Sequence, residues 1–226
     1  MMYYFESKRT NPEYNLALEE YLCGLGRDMF ILWRNEPSVI IGRFGVVNDE
    51  VDVKFAEADG IHIVRRNSGG GAVYHDLGNV NYSFILRDSK KLTLEHFAQA
   101  IMKTLEAIGI NSCLDFQHND ILAGGLKISG SAQYHHKGVI LHHGTLLFDS
   151  DLKIIPRVLK RSRNVANIRP LLKIDMNIEE FMRTLADNIG AKKNFQLSEN
   201  EDVEKLAHLK YSNPKWNLEG VQSDNL

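Results

Sequence analysis

Apolar residues recur at three- and four-residue spacing in several stretches of the chain, and this spacing predicts amphipathic helices. The most regular stretch covers 93–108 and stops just before Gly109, a residue that favours the left-handed turn after a helix. Asn11 and Pro12 supply an N-cap and a first helical position, which predicts a helix that runs as far as Gly24. Weaker helical spacing predicts further helices over 49–58, 151–160, 177–188 and 198–209.

Runs rich in β-branched and aromatic residues predict strands between these helices. Residues 29–34 and 38–43 are two such runs, separated by a turn that contains proline, and 61–65 is a third. In 79–86 the side chains are predicted to alternate between the two faces of a strand. One face then carries Val80, Tyr82, Phe84 and Leu86.

The region 119–150 predicts a series of β-hairpins, because Gly124-Gly125 and Lys137-Gly138 supply turns between apolar runs. Long helices between strands of antiparallel character predict an α+β fold and not a doubly wound parallel sheet. The last residues, 213–226, are polar and carry no periodic pattern. They are predicted to be a frayed tail or the start of a further part of the protein.

Composition narrows the class of protein. The chain has 226 residues, of which 43% are hydrophobic and 25% charged, as expected for one large globular domain. A formal net charge of −2 provides no basic field, so neither nucleic acid nor a membrane is predicted as a partner. The sequence contains no signal-peptide pattern and no membrane-spanning run, and Cys23 and Cys113 form no metal motif. We therefore expect a cytoplasmic protein.

The most unusual segment is 65–76, Arg-Arg-Asn-Ser-Gly-Gly-Gly-Ala-Val-Tyr-His-Asp. Three consecutive glycines let backbone N–H groups approach a ligand, and successive amides form a concavity for an anion. Arg65 and Arg66 would add charge-assisted donors for a carboxylate or phosphate. The segment is neither a Walker A loop nor a dinucleotide-binding loop, because the required lysine and last glycine are missing. The alternative is a flexible turn with solvated arginines.

A second polar pattern lies within the predicted hairpins. In strand conformation Lys127, Ser129 and Ser131 share one face, although a one-residue change of register would turn them away from it. A fixed ammonium group can stabilise negative charge that develops on a phosphoryl or acyl oxygen. The alternative is an ordinary lysine on a solvated edge strand.

Other chemistries have less support in the sequence. His135-His136 and His142-His143 are adjacent residues on strands, so each pair offers at most one ligand to a metal. A serine hydrolase is not predicted, because no G-x-S-x-G elbow is present. The acidic pairs Glu19-Glu20 and Glu179-Glu180 lie at helical positions, and we expect them to be solvated.

Together these segments resemble the lipoate–protein ligase family. The resemblance is carried by 65–76 with Gly78-Asn79, Asn119-Asp120, 127–133 and 142–147, and by the opening segments 15–20 and 40–43. It extends to about Trp216-Asn217, so residues 1–217 are predicted to form a lipoate ligase-like catalytic domain and 218–226 a tail. The small C-terminal domain that usually follows in the family is expected to be absent.

The resemblance implies a fold and a reaction. The fold is a mixed and largely antiparallel sheet flanked by helices, shared with biotin protein ligases and octanoyltransferases. In the reaction, the carboxylate of lipoate or octanoate attacks the α-phosphate of ATP, with Mg²⁺ as the expected metal, and pyrophosphate leaves. The ε-amine of a lysine on a carrier domain then attacks the acyl-adenylate and AMP leaves. The implied carriers are the lipoyl domains of E2 subunits or a glycine-cleavage carrier protein.

The resemblance also implies the roles of individual residues. Lys127 is the predicted catalytic residue, bridging the acyl carbonyl and the α-phosphate, and Asp120 is a candidate Mg²⁺ ligand. The residues predicted to bind ATP or the acyl-adenylate are Arg66, Ser68, Gly71, Ala72, Val73, Tyr74, Asn119, Asp120, Ser129, Ser131, Ala132, His143 and Thr145.

The chain departs from the family in ways that leave alternatives open. Gly45-Val46 stands where the family usually has Gln-Asn, which removes two polar side chains. Cys113 lies fourteen residues before Lys127, close to the position of the nucleophile in octanoyltransferases and amidotransferases. A Cys113-dependent acyltransferase or amidotransferase that needs no ATP is therefore the second hypothesis. A lipoate-binding protein with weakened catalysis is the third, and a separate small C-terminal subunit is a possible partner of the chain.

Overall fold

The computed structural model describes residues 2–87, 92–191, 193–197 and 200–220. The strands are β1 (Tyr3–Glu6), β2 (Met29–Trp33), β3 (Ser38–Ile41), β4 (His62–Arg65), β5 (Val73–His75), β6 (Asn79–Arg87), β7 (Cys113–Asp115), β8 (Asp120–Ala123), β9 (Leu126–His136), β10 (Val139–Leu147) and β11 (Lys193–Asn194). The helices are α1 (Pro12–Gly24), α2 (Val47–Glu50), α3 (Val53–Ala58), α4 (Leu94–Ala107), α5 (Ile155–Val158), α6 (Ile178–Ile189) and α7 (Glu201–Leu206).

The strands form two sheets. The large sheet has the order β11-β1-β2-β6-β10-β9-β8-β7, and the small sheet has the order β4-β3-β5. In the large sheet β11, β1 and β2 run parallel, and every pairing from β2 to β7 is antiparallel. The predicted α+β class, with a mixed and largely antiparallel sheet flanked by helices, is confirmed.

Each face of the large sheet is covered by a different layer. Val80, Tyr82 and Phe84 point to one face, as the alternation in β6 predicted, and α4 and α6 pack against them. The other face packs against α1, α7 and one side of the small sheet, where Trp33 and Ile40 meet in a common core. The two sheets therefore face each other across part of the molecule.

Most of the predicted elements form, and two predicted helices are shortened by a pairing between distant segments. The predicted helix 49–58 is interrupted, because Val51 is extended and pairs with Leu159, and the Asp52 side chain caps the new helix α3. The predicted helix 151–160 shortens to α5 because the same pairing holds Leu159 in an extended conformation. In 198–209, residues 198 and 199 lie outside the described part of the chain, and α7 continues as a wider helical turn, Ala207–Tyr211.

Residues 213–220 are ordered, although no periodic pattern predicted structure there. Trp216 is only 2% exposed, and its indole Nε1 donates a hydrogen bond to the carbonyl oxygen of Arg65 at 2.8 Å. This segment is thus part of the domain core, while 221–226 lie outside the described residues. Within the described ranges, no helix is both long and apolar enough to cross a membrane.

His142 on β10 generates a prediction about stability. It is fully buried against Phe97, with the ring centroids 4.5 Å apart, and neither ring nitrogen has a hydrogen-bond partner among the described residues. Burial lowers the pKa of His142 to about 3, with a smaller contribution from His143. We expect His142→Phe to raise the free energy of unfolding by roughly 1 kcal/mol or more, since it removes unpaired polar atoms.

The pH dependence checks the cause. Unfolded His142 gains a proton below its usual pKa of 6.5, whereas folded His142 does so only near pH 3. The wild-type protein should therefore lose stability from pH 6.5 downwards by up to about 1.4 kcal/mol per pH unit from this group, and His142→Phe should lose less. Urea unfolding at several pH values measures both effects. The control is His135→Phe, at an exposed histidine of β9. An unchanged pH dependence in His142→Phe would contradict the prediction.

Candidate active site

A cavity of about 600 Å³ lies between the large sheet and the glycine-rich loop of residues 66–72, which connects β4 to β5. Residues 161–163 and 165 line another side of it. The cavity wall brings together most of the predicted site residues, namely Arg66, Gly71, Ala72, Val73, Tyr74, Asn119, Asp120, Lys127, Ser131, Ala132, His143 and Thr145.

Two predicted adenylate-binding residues, Ser68 and Ser129, and the alternative nucleophile, Cys113, are not in this wall. Ser68 belongs to the glycine-rich loop, but it is completely buried and its hydroxyl accepts a hydrogen bond from Arg66. Ser129 is also buried, and its hydroxyl lies beside that of Tyr82 in the core on the other face of the sheet. Cys113 is exposed at the start of β7. Its position gives no support to the hypothesis of a Cys113 nucleophile in this cavity.

Arg66 holds the glycine-rich loop in its conformation. Its guanidinium donates to Ser68 Oγ (2.9 Å) and to the carbonyl oxygens of Ile40 (2.9 Å), Gly69 (2.6 Å) and Gly71 (3.0 Å). Burial lowers the pKa of Arg66 to about 10, so the group stays charged at neutral pH. Arg66 thus brings positive charge to the cavity while most of its N–H donors shape the loop.

Arg65 has a different role from the one expected. It is 1% exposed, and its guanidinium donates to carbonyl oxygens of Gly42, Gly45, Trp216 and Asn217 at 2.8–3.0 Å. The prediction that Arg65 is a donor for a bound anion is therefore wrong. Successive side chains along β4 point to opposite faces of the strand. Arg65, the last residue of β4, therefore points away from the cavity and towards the C-terminal segment.

Glu19 connects the loop to the large sheet. Its carboxylate accepts hydrogen bonds from Ser83 Oγ (2.6 Å) and His143 Nδ1 (2.9 Å), and the other ring nitrogen of His143 lies 2.5 Å from Ser68 Oγ. Glu19 is only 5% exposed. Ser68 is thereby tied to the sheet through His143.

The prediction of solvated acidic pairs is wrong for Glu19-Glu20. Beside the buried Glu19, Glu20 accepts hydrogen bonds from Lys210 Nζ (2.7 Å), Tyr211 Oη (2.6 Å) and Asn67 Nδ2 (2.9 Å). These hydrogen bonds and the charge of Lys210 outweigh burial and lower the pKa of Glu20. Glu179-Glu180 is exposed, as expected. Helical spacing alone could not show that long-range partners cover α1 in the folded chain.

The predicted common face of Lys127, Ser129 and Ser131 does not form. A β-bulge at Ile128 in β9 shifts the register between β9 and β8: Ser129 pairs with Ile121, whereas Lys127 pairs with Leu122. Asp120 pairs with Gly130, so these two residues share a face. Lys127 Nζ reaches that face, where it lies 3.0 Å from Asp120 Oδ1. Ser129 and Ser131 are offset by one residue from Gly130, so their side chains point towards Tyr82 on the opposite face, although Ser131 also borders the cavity. The Ser131 hydroxyl donates a hydrogen bond to the carbonyl oxygen of Asn119 at 3.1 Å.

The ammonium group of Lys127 has a defined position. A Cβ at position 130 would lie 2.7 Å from Lys127 Nζ, so the glycine there leaves the space that the ammonium group occupies. Asp120 accepts from Lys127 with one oxygen and from Arg163 Nη1 (2.5 Å) with the other. Sequence reasoning missed Arg163 and Gly130, because their importance depends on contacts between distant segments.

The far wall of the cavity is apolar with a few buried polar groups, a composition typical of ligand sites. Trp33, Ile40 and Leu147 supply apolar surface, and Asn81 and His75 supply amide and imidazole groups. Burial, followed by the charges of Arg66 and His143, lowers the pKa of His75 to about 3, which keeps its ring neutral. The alternation in β6 that identified its core face could also have placed Asn81 on the face that lines this cavity.

No group of three or more His, Cys, Asp or Glu side chains within the described ranges is arranged to hold a metal ion. Asp120, the predicted Mg²⁺ ligand, has both oxygens in ion pairs with Lys127 and Arg163. Magnesium is commonly bound through one or two carboxylates together with substrate phosphates. Asp120 would suit that arrangement only after one of its cationic partners had moved away.

Comparison with known proteins identifies the family. A family model described as the lipoyl protein ligase A/B catalytic domain matches residues 11–190. The chain is 36% identical to lipoate-protein ligase LplJ of Bacillus subtilis, over 96% of this chain and 73% of that protein. It is 35% identical to lipoate-protein ligase 1 of Staphylococcus aureus, over 92% of this chain and 70% of that protein.

Solved structures agree with the sequence comparison. A lipoate-protein ligase A bound with ATP matches with a TM-score of 0.82 and 29% identity, covering 97% of this chain and 98% of that one. A Thermoplasma acidophilum ligase with bound lipoic acid has a TM-score of 0.83 and 29% identity, covering 96% and 98%. A bi-partite lipoate protein ligase from the same organism, studied with its E2 lipoyl domain, has a TM-score of 0.85 and 27% identity, covering 99% and 98%. This chain belongs to the lipoate–protein ligase family.

Proposed function

We propose that this chain uses ATP to activate lipoate as lipoyl-AMP and then transfers the lipoyl group to a lysine of a carrier domain. In the first step a lipoate oxygen attacks the α-phosphorus, the bond from that phosphorus to the bridging oxygen breaks, and pyrophosphate leaves. In the second step the lysine nitrogen attacks the acyl carbon, the bond from that carbon to the phosphate oxygen breaks, AMP leaves, and the amine loses its proton.

One observation carries the proposal: the ammonium of Lys127 is fixed by Asp120 over Gly130, in the same cavity as the glycine-rich loop. Negative charge increases on phosphate oxygens in the first step and on the acyl oxygen in the second. A cation that is already positioned stabilises both transition states without reorganisation. The apolar wall around Trp33 and Leu147 suits the hydrocarbon chain and dithiolane ring of lipoate.

The proposal extends to the metal, the partners and the location. Mg²⁺ would enter with ATP, and Asp120 is its candidate protein ligand. The carrier would be an E2 lipoyl domain or a glycine-cleavage carrier protein. The bi-partite Thermoplasma ligase supports the idea that a separate small subunit completes the enzyme. The free cysteines, Cys23 and Cys113, are consistent with a cytoplasmic location.

Lys127→Ala tests the central role of the ammonium group. We expect it to lower lipoate-dependent exchange of pyrophosphate into ATP by about 100- to 1,000-fold, comparable to the loss of one oxyanion donor. Folding should be retained, because Asp120 keeps Arg163 as an ionic partner. The control is Lys103→Ala, at an exposed position of α4. Near-wild-type exchange by folded Lys127→Ala would show that Lys127 is not the catalytic residue.

Cys113→Ser distinguishes the ligase from an acyltransferase. We expect ATP-dependent lipoylation of a carrier to change little, because an acyl-adenylate needs no protein thioester and Cys113 lies outside the cavity wall. Carrier modification can be followed by mass spectrometry. Loss of transfer in Cys113→Ser, together with a hydroxylamine-sensitive acyl-enzyme in the wild type, would favour the acyltransferase instead.

Single-turnover kinetics test what residues 1–226 do by themselves. We expect rapid adenylate formation, because the candidate ligand-binding residues lie between Arg66 and Thr145, but slow transfer to a carrier. Without a further domain or subunit to exclude water, the mixed anhydride should be lost to hydrolysis. Pyrophosphate release and lipoyl-carrier formation are measured separately, with and without a candidate small subunit. Transfer at about 1 s⁻¹ or faster by residues 1–226 alone would refute this expectation.

A further inference from the structure

Glu50 occupies part of the concavity that the glycine-rich loop forms. It is the last residue of α2, and its Oε2 accepts a hydrogen bond from the backbone N–H of Ala72 at 2.6 Å. A Cβ at position 45 would lie 2.6 Å from Glu50 Oε1, so Gly45 leaves room for this carboxylate. A carboxylate oxygen on a glycine-rich turn makes the same interaction that a phosphate oxygen would make there.

The negative charge of Glu50 lies near two buried positive charges, those of Arg65 and Arg66. Arg65 and Arg66 are both buried, and their guanidinium groups donate to carbonyl oxygens and to Ser68, with no direct ion pair among the described residues. Burial lowers the pKa of Arg66. The negative charge of Glu50, followed by that of Glu19, opposes this shift. The Glu50 carboxylate therefore compensates buried positive charge beside the loop.

The backbone of Glu50 is fixed, whereas its side chain has space to turn. The Glu50 carbonyl accepts from the Lys160 N–H at 2.9 Å, the Asn48 carbonyl accepts from Lys160 Nζ at 2.7 Å, and Val51 pairs with Leu159. A second cavity of about 310 Å³ adjoins the carboxylate. Its lining residues are Phe44, Gly45, Glu50, Gly70, Gly71, Ala72 and Arg161.

We propose that Glu50 is a positioning residue that holds the Ala72 N–H in the absence of nucleotide and is displaced by a phosphate oxygen when ATP binds. The exchange replaces one anion by another beside Arg65 and Arg66, so the buried positive charge stays compensated. Nucleotide binding then competes with an internal carboxylate. The inference depends on the proposed function for the identity of the phosphate ligand.

Glu50→Gln tests this competition. The amide oxygen can still accept from Ala72, but the neutral acceptor forms a weaker hydrogen bond and carries no like charge towards phosphate. We expect ATP and pyrophosphate, each titrated calorimetrically without Mg²⁺, to bind Glu50→Gln about five- to tenfold more tightly than wild type. Omitting Mg²⁺ ensures that a metal bridge between Glu50 and phosphate does not contribute.

The control is Asp49→Asn, which removes the same charge from an exposed side chain on the same helix. If Glu50 acts by occupying the Ala72 N–H, the affinity of Asp49→Asn for ATP should stay within about twofold of wild type, since exposed charges are screened. Equal gains in the two variants would indicate a long-range electrostatic effect and would overturn the proposal.

Thermal unfolding provides a second measurement. Without nucleotide, Glu50→Gln should unfold at a lower temperature than wild type, because Arg66 loses one of its two compensating anions, Glu50, and keeps only Glu19. Saturating pyrophosphate should raise the unfolding temperature of Glu50→Gln more than that of wild type. Weaker or unchanged ATP binding by Glu50→Gln, with wild type binding normally, would overturn the inference alone. Failure of folded wild type and variant alike to bind ATP or pyrophosphate would also overturn the proposed function.

Discussion

Two consecutive buried guanidinium groups organise the region on which the rest of the site depends. Burying a cation costs folding free energy unless its N–H donors are hydrogen-bonded. Arg65 and Arg66 meet this requirement by donating to backbone carbonyl oxygens from distant parts of the chain. Arg66 donates to carbonyl oxygens of the glycine-rich loop, and Arg65 donates to carbonyl oxygens of 42–45 and 216–218. The carbonyls of 216–217 belong to a terminal helical turn, where the backbone dipole favours a positive charge. Loop, small sheet and C-terminal segment are thereby assembled around one pair of side chains.

The glycines near this pair follow from the same constraint. A Cβ at Gly42 would collide with the carbonyl oxygen of Gly70, and Gly70 itself has a φ of 93°, a conformation that favours glycine. Close packing of these two backbone segments therefore requires glycine at both positions. Glu19 and His143 add a second attachment through Ser68, on the side of the large sheet. The loop is therefore preorganised by the protein interior and does not depend on a ligand to acquire its shape.

The opposite side of the cavity depends on a local irregularity in the sheet. The bulge in β9 brings the ammonium of Lys127 to the face of Asp120, while Ser129 stays in the core beside Tyr82. Gly130 leaves the space into which the ammonium fits. A cation stabilises negative charge that develops on a substrate only if it is correctly positioned. Here a bulge, a glycine and an ion pair together fix the position of the Lys127 ammonium.

The sequence by itself determined most of the secondary-structure elements, the α+β class and the glycine-rich loop, because each rests on local spacing or on a short motif. Hairpin turns at Gly124-Gly125 and Lys137-Gly138 form as predicted, since turn chemistry is also local. Only the tertiary structure decided that Arg65 binds carbonyls, that Glu19 is buried and that Trp216 belongs to the core. Only it decided that Glu50 contacts the loop and that a bulge separates Lys127 from Ser129. These features depend on which distant segments meet in the folded chain. The local spacing of apolar and polar residues along the sequence carries no information about such partners.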